Sequence, residues 1–195
     1  MKSTGIVRRI DELGRVVIPK EIRKTLRIKE GDPLEIYTQE DELLFKKYSP
    51  IKNINNLAED IVFSLATVNE CSCLICDMEK IVAVKGSQTK ELKGRKISTQ
   101  LEKLINERKS YICSDDNCTP LDLTTDLNGQ FKYQIMVPII SNGDVFGALI
   151  LASNQPLSGA EIKSVRGFSE YIGRFLEVWQ EKIKKLLKGD YSPYI

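Results

Sequence analysis

The run GRVVIPKEIR, Gly14 to Arg23, decides how the first fifty residues are built. Arg15 to Ile18 is an extended, β-branched stretch, and Pro19 suits a first helical position. Ile18, Ile22 and Leu26 then recur every fourth residue, an apolar helical stripe with Arg23 and Arg27 off it. A strand running straight into a short helix is therefore expected, with Gly31 closing the helix. Upstream, Thr4 to Ile10 alternates like a strand and Asp11-Glu12-Leu13-Gly14 reads as a turn. Downstream, Leu34 to Tyr37 and Leu43 to Phe45 read as two further strands joined by the acidic turn Gln39 to Glu42. The outline is ββαββ. Four short strands and a two-turn helix bury little apolar surface, and nothing covalent supports them, so dimerisation is expected.

Charge is distributed unevenly over this module. Nine basic residues face three acidic ones in positions 1–29, whereas six acidic and no basic residues fall in positions 30–45, although the whole chain carries only +2. A polyanion would be drawn to one end of the module and not the other. Arg8 and Arg9 fall on opposite faces if the first run is a regular strand, which favours Arg8 for a shared surface with Arg15, Arg23 and Lys24. Lys20, Lys46 and Lys47 are second-rank candidates for phosphate contacts. Most charge runs are merely solvated surface, and spacing alone does not separate that reading from nucleic-acid binding.

Ser49-Pro50 marks a boundary, giving domains at 1–50 and 51–195. The second is expected to open with a helix from Ile51 to Val68, with Ile54, Leu57, Ile61, Leu65 and Val68 in one seam. Strands are expected at 73–76, 81–84, 135–140 and 145–152, the last two joined at Asn142-Gly143, a hairpin signal. Thr99 to Arg108 reads as helix and 115–129 as polar loop. A long helix should begin at the Ser158-x-x-Glu161 capping box and run to Gly189. Its apolar rhythm exceeds what one sheet can cover, so the first and last helices are expected to bundle, within or between subunits.

Histidine is absent, which removes the commonest general base and every histidine-containing metal site. The start has no apolar leader and no stretch is long enough to span a membrane, so a cytoplasmic protein with no membrane association is expected. Five cysteines, Cys71, Cys73, Cys76, Cys113 and Cys118, are then expected to be reduced. Their spacing could supply soft metal ligands, but Cys73 and Cys76 lie in an apolar run that reads as a buried strand. Asp115, Asp116, Asp122 and Asp126 cluster without a phosphate cradle, a weak basis for an enzyme. No catalytic residue, metal ligand or resident cofactor is assigned.

The stretch STGIVRRIDELGRVVIPKEIRKTLRIKEGDPLEIY, continued by Leu44-Phe45-Lys46-Lys47-Tyr48, resembles the DNA-binding domain of the AbrB-type transition-state regulators of spore-forming bacteria. With some 145 residues beyond it, the chain resembles the stage V sporulation protein T family, which joins that module to a GAF-type domain. The resemblance implies an α+β protein: an N-terminal swapped-hairpin dimeric β-barrel, and a C-terminal GAF-like α/β sandwich with long flanking helices. It implies a non-enzymatic, sequence-specific regulator of forespore genes, both activating and repressing, that binds double-stranded DNA as a dimer assembling into tetramers. It places the DNA-contacting arginines on Arg8, Arg15 and Arg23. At the next position Lys24 keeps the charge of the family's arginine without its planar fork. A GAF-like fold leaves room for a small-molecule effector, with 115–129 as a lid, although fold alone does not establish one. AbrB-type barrels also serve as antitoxin modules, so a protein partner is the alternative.

Overall fold

The computed structural model describes residues 4–28, 30, 34–127, 129 and 131–187, the last five as backbone alone. The chain divides into two compact units, Met1–Tyr48 and Ser49–Ile195.

In the first unit the second hairpin forms as expected. β1 (Leu34–Gln39) pairs antiparallel with β2 (Glu42–Lys47), Leu34 opposite Lys47 and Gln39 opposite Glu42. α1 (Lys20–Leu26) follows Pro19. It stops earlier than expected: Arg27 adopts a left-handed φ of 52°, its N–H meets the Lys24 carbonyl, and the Ile28 N–H meets that of Arg23 at 2.8 Å. This is a Schellman closure on a non-glycine residue, and Gly31 lies outside the described residues. The strands expected at Thr4–Ile10 and Arg15–Ile18 are absent from the described chain; only the turn between them forms, with the Asp11 N–H on the Arg15 carbonyl at 3.0 Å. A ladder needs a neighbour, and a lone hairpin is marginal in water. Val7 (87% exposed) and Val17 (71%) stand bare, and none of the described residues 4–48 is fully buried.

The second unit carries the core. A short α2 (Pro50–Asn53) breaks at Ile54 before α3 (Asn55–Val68), where a single continuous helix was expected. The Ile54 N–H reaches back only to Ile51, a tight turn that the apolar spacing does not reveal. The seam is Ile61 and Leu65 with Ala58, Val62 and Ala66; Val68 is exposed. β3 (Ser72–Cys76), β4 (Ile81–Lys85), β5 (Tyr111–Cys113), β6 (Tyr133–Ser141) and β7 (Asp144–Ser153) form an antiparallel sheet in the order β4-β3-β7-β6-β5. Asn142 and Gly143 both take positive φ between β6 and β7, the geometry a two-residue hairpin demands. The three-residue β5 was not anticipated.

One face of the sheet packs against α3 and α5 (Gly159–Leu187), joined by Ile135, Leu149, Leu151, Val165 and Ile172. The first and last long helices thus share one core. The Ser158 capping box forms, with the Ser158 N–H on Glu161 Oε2 at 2.9 Å and the Ala160 N–H on Ser158 Oγ at 3.1 Å; Gly189 lies outside the described residues. Ser169 Oγ donates to the Pro138 carbonyl at 2.7 Å, and one turn later Gly173 packs directly on the Ile140 carbonyl. The opposite face is covered by α4 (Thr99–Asn106) and loops, through Leu92, Leu101, Ile105, Leu123, Phe131 and Met136.

Candidate nucleic-acid interface

The exposed basic side chains of the first unit are presented by three local devices. The first is the turn after Thr4–Ile10. Gly14, at φ 73°, lets the chain reverse, and its N–H meets the Asp11 carbonyl at 2.9 Å. Asp11 Oδ1 accepts the N–H of Leu13 at 3.0 Å and of Arg15 at 2.8 Å, while Oδ2 accepts Arg15 Nε at 2.8 Å. The Arg15 amide, then its guanidinium and the Leu13 amide, hold the Asp11 carboxyl below the usual range, so it is charged at neutral pH. The Arg15 side chain nonetheless remains 70% exposed.

The second device is α1. Lys20, Arg23 and Lys24 are exposed, and their spacing of three and four residues stacks them along one side of the helix. The third is the β1–β2 hairpin, and here the geometry alters the expectation. Lys47 Nζ donates to the Arg27 carbonyl at 2.6 Å, placing a cation on the closing end of α1. Lys46 Nζ lies 4.4 Å from the centre of the Tyr37 ring, whose hydroxyl donates to Glu35 at 2.6 Å. Both lysines hold the module together. Arg8 and Arg9 are exposed in the first run, which forms no strand. Sequence reasoning missed Asp11, although an acid four residues before an arginine across a glycine turn was the available signal.

The second unit offers less chemistry. Cys73 and Cys76 point to opposite faces of the sheet, one into each core, so they cannot share an ion. No cluster of three metal-ligating side chains occurs among the described residues. Burial pushes the Cys73 thiol far up and that of Cys76 up to about 12, leaving both unreactive. Cys113 and Cys118 are joined as a disulfide, contrary to the expectation of reduced thiols. Asp115 turns the chain within five residues, its Oδ1 accepting the Asn117 N–H at 2.9 Å, and brings the two Cα atoms to 5.3 Å.

The 115–129 segment is less lid-like than its composition suggested. Leu121 and Leu123 are buried, and the Gln134 carboxamide bonds both the N–H and the carbonyl of Leu121 at 3.0 Å. Asp126 pairs with Arg95, and Asp116 accepts from the Tyr133 hydroxyl. No helix among the described residues is long and apolar enough to cross a membrane.

Two family models match the chain. Residues 53–177 match "Stage V sporulation protein T C-terminal, transcription factor", and residues 7–53 match "Antidote-toxin recognition MazE, bacterial antitoxin". The chain is 42% identical to stage V sporulation protein T of Bacillus subtilis over 91% of its own length and 99% of that protein's. Its first part is 64% identical to the transition state regulatory protein AbrB of the same organism, over 26% of this chain and 52% of that protein. Among solved structures, the GAF domain of PixJ from Thermosynechococcus elongatus superposes with a TM-score of 0.57, covering 71% of this chain and 94% of that one at 12% identity. That likeness gives the second unit a GAF-type fold and says nothing of its ligand.

Proposed function

Because the chain belongs to the stage V sporulation protein T family, we propose that it is a cytoplasmic, sequence-specific DNA-binding transcription regulator, activating some sporulation-stage forespore genes and repressing others. The observation that carries this reading is the exposed basic set Arg8, Arg15, Arg23 and Lys24, in a module 64% identical to a transition state regulatory protein. Guanidinium groups stay charged and grip phosphate or a guanine edge with two parallel bonds. Arg9 and Lys20 add phosphate contacts, while Lys46 and Lys47 act mainly by bracing the module.

The DNA-binding form is a dimer. A module in which none of the described residues 4–48 is fully buried, in which the described parts of 4–10 and 15–18 form no strand, and in which Val7 and Val17 stand bare, has those strands completed by a second copy. The swapped-hairpin barrel that results doubles the basic surface about a twofold axis. The GAF-type unit serves further assembly to a tetramer through its long helices, and effector sensing.

The test is a DNA titration of the full chain across salt concentrations. Arg15→Ala should weaken binding without changing the melting temperature, and should flatten the salt dependence by about one phosphate contact. Unchanged binding would remove Arg15 from the interface. The match of residues 7–53 to an antitoxin model favours a second reading, a protein-binding module; copurification with a small toxin and no DNA affinity would install it instead.

A further inference from the structure

We propose that Asp11 is a positioning residue for sequence recognition: it holds the Arg15 guanidinium by one edge so that the other is presented to the base edges as a fixed two-pronged donor. This rests on the reading of Arg15 as a DNA contact. The carboxylate divides its work between its two oxygens. Oδ1 is occupied by the N–H groups of Leu13 and Arg15, which fixes the turn. Oδ2 is occupied by Arg15 Nε at 2.8 Å, which fixes the side chain. A guanidinium has five N–H bonds in a planar fork. With Nε engaged, the Nη1 and Nη2 groups remain for a bidentate contact, and rotation about the last side-chain bonds is restrained before DNA arrives.

Stability accounts for the bonds to Oδ1, which fix the turn, but not for the ion pair at Oδ2. The two side chains are 70% and 40% exposed, and an ion pair so open to water contributes little to folding. It also has an electrostatic cost, because a carboxylate beside a DNA-contacting arginine repels the phosphate backbone. A protein that needed only non-specific affinity would bind better without it. Retaining the acid makes physical sense where orientation of Arg15 matters more than net charge, which is the condition for reading bases rather than phosphates.

The experiment is a double-substitution cycle in the full-length protein, with Asp11→Asn, Arg15→Ala and the pair. The probes are a duplex enriched by the wild-type protein from a random-sequence pool and a scrambled duplex of equal length. Asparagine keeps an oxygen for the two backbone N–H groups and loses the charge, so melting temperatures report whether the turn survives. Asp11→Asn should leave binding to the scrambled duplex equal or tighter. It should lower the ratio of selected to scrambled affinity by roughly 3- to 10-fold, a part of what a bidentate base contact supplies. In the Arg15→Ala background the same change should have no further effect on the ratio. Equal losses in both backgrounds would show that Asp11 serves the turn alone and overturn the proposal, as would an unchanged ratio in the single variant. If Arg15→Ala itself leaves the ratio intact, the DNA reading of Arg15 falls, and this one with it.

Discussion

Alanine at Gly173 and alanine at Gly167 should move the stability of the second unit in opposite directions, although both glycines lie in α5. At Gly167 an added Cβ meets nothing within 4 Å. The substitution there removes the helix penalty of glycine and should stabilise by about 1 kcal/mol. At Gly173 the Cβ would land on the Ile140 carbonyl oxygen, with the carbonyl carbon 3.1 Å away. Neither partner is a side chain that can swing aside. Restoring van der Waals contact requires α5 to lift from β6 by about 1 Å. Overpacking of this kind costs about 1–3 kcal/mol. The same displacement stretches the 2.7 Å bond from Ser169 Oγ to the Pro138 carbonyl one turn away, forfeiting about 1 kcal/mol more. Set against the same propensity gain, the net is a loss of about 1–3 kcal/mol. For a chain of this size each kcal/mol moves the midpoint by about 2–4 °C. Trp179, the one tryptophan, sits on α5, and its fluorescence follows this unit in thermal or urea unfolding. Shifts of the same sign in the two variants would refute the close approach of α5 to the sheet.

Two further outcomes follow from a buried carboxamide and a half-buried thiol. Gln134→Leu strands the Leu121 N–H and carbonyl, and should cost about 1–3 kcal/mol per buried group left unpaired; hydrogen exchange at Leu121 should accelerate with it, and an unaltered exchange rate would disprove the clamp. Burial, helped by Glu161, pushes the Cys71 thiol up to about 11. Iodoacetamide labelling of Cys71, followed by peptide mass spectrometry, should therefore keep rising about tenfold per pH unit past pH 9, where an ordinary thiol levels off. The linked stability has a definite sign: the folded state prefers the protonated thiol, so the contribution is whole below the ordinary thiol value and is lost as pH climbs towards 11. A labelling plateau at about pH 9 would contradict it.

The features most legible in the sequence were those set by short-range stereochemistry. Asn142-Gly143 announces its hairpin because both residues tolerate positive φ, and Ser158 with Glu161 announces a helix start through a reciprocal pair of hydrogen bonds. Features decided by distant contacts were not legible. Nothing local distinguishes Ile54, where the helix breaks, from the apolar residues that continue the seam. Tyr111–Cys113 is too short to alternate, and becomes a strand only because β6 offers it an edge. The candidate interface divided the same way. Composition and spacing picked out the basic residues, but the geometry that commits Lys46 to a ring, Lys47 to a helix end and Arg15 to Asp11 depends on folded neighbours.

The margin of β6 beyond the reach of β5 has one more consequence. β5 accompanies β6 only from Gln134 to Met136, so residues 138 to 140 would otherwise form an open border where a strand from another molecule could attach. Pro138 has no N–H to offer there, Ser169 occupies its carbonyl, and Gly173 sits on that of Ile140. The chain's own last helix takes up these carbonyls, and a strand seeking to add at this margin would first have to displace that helix.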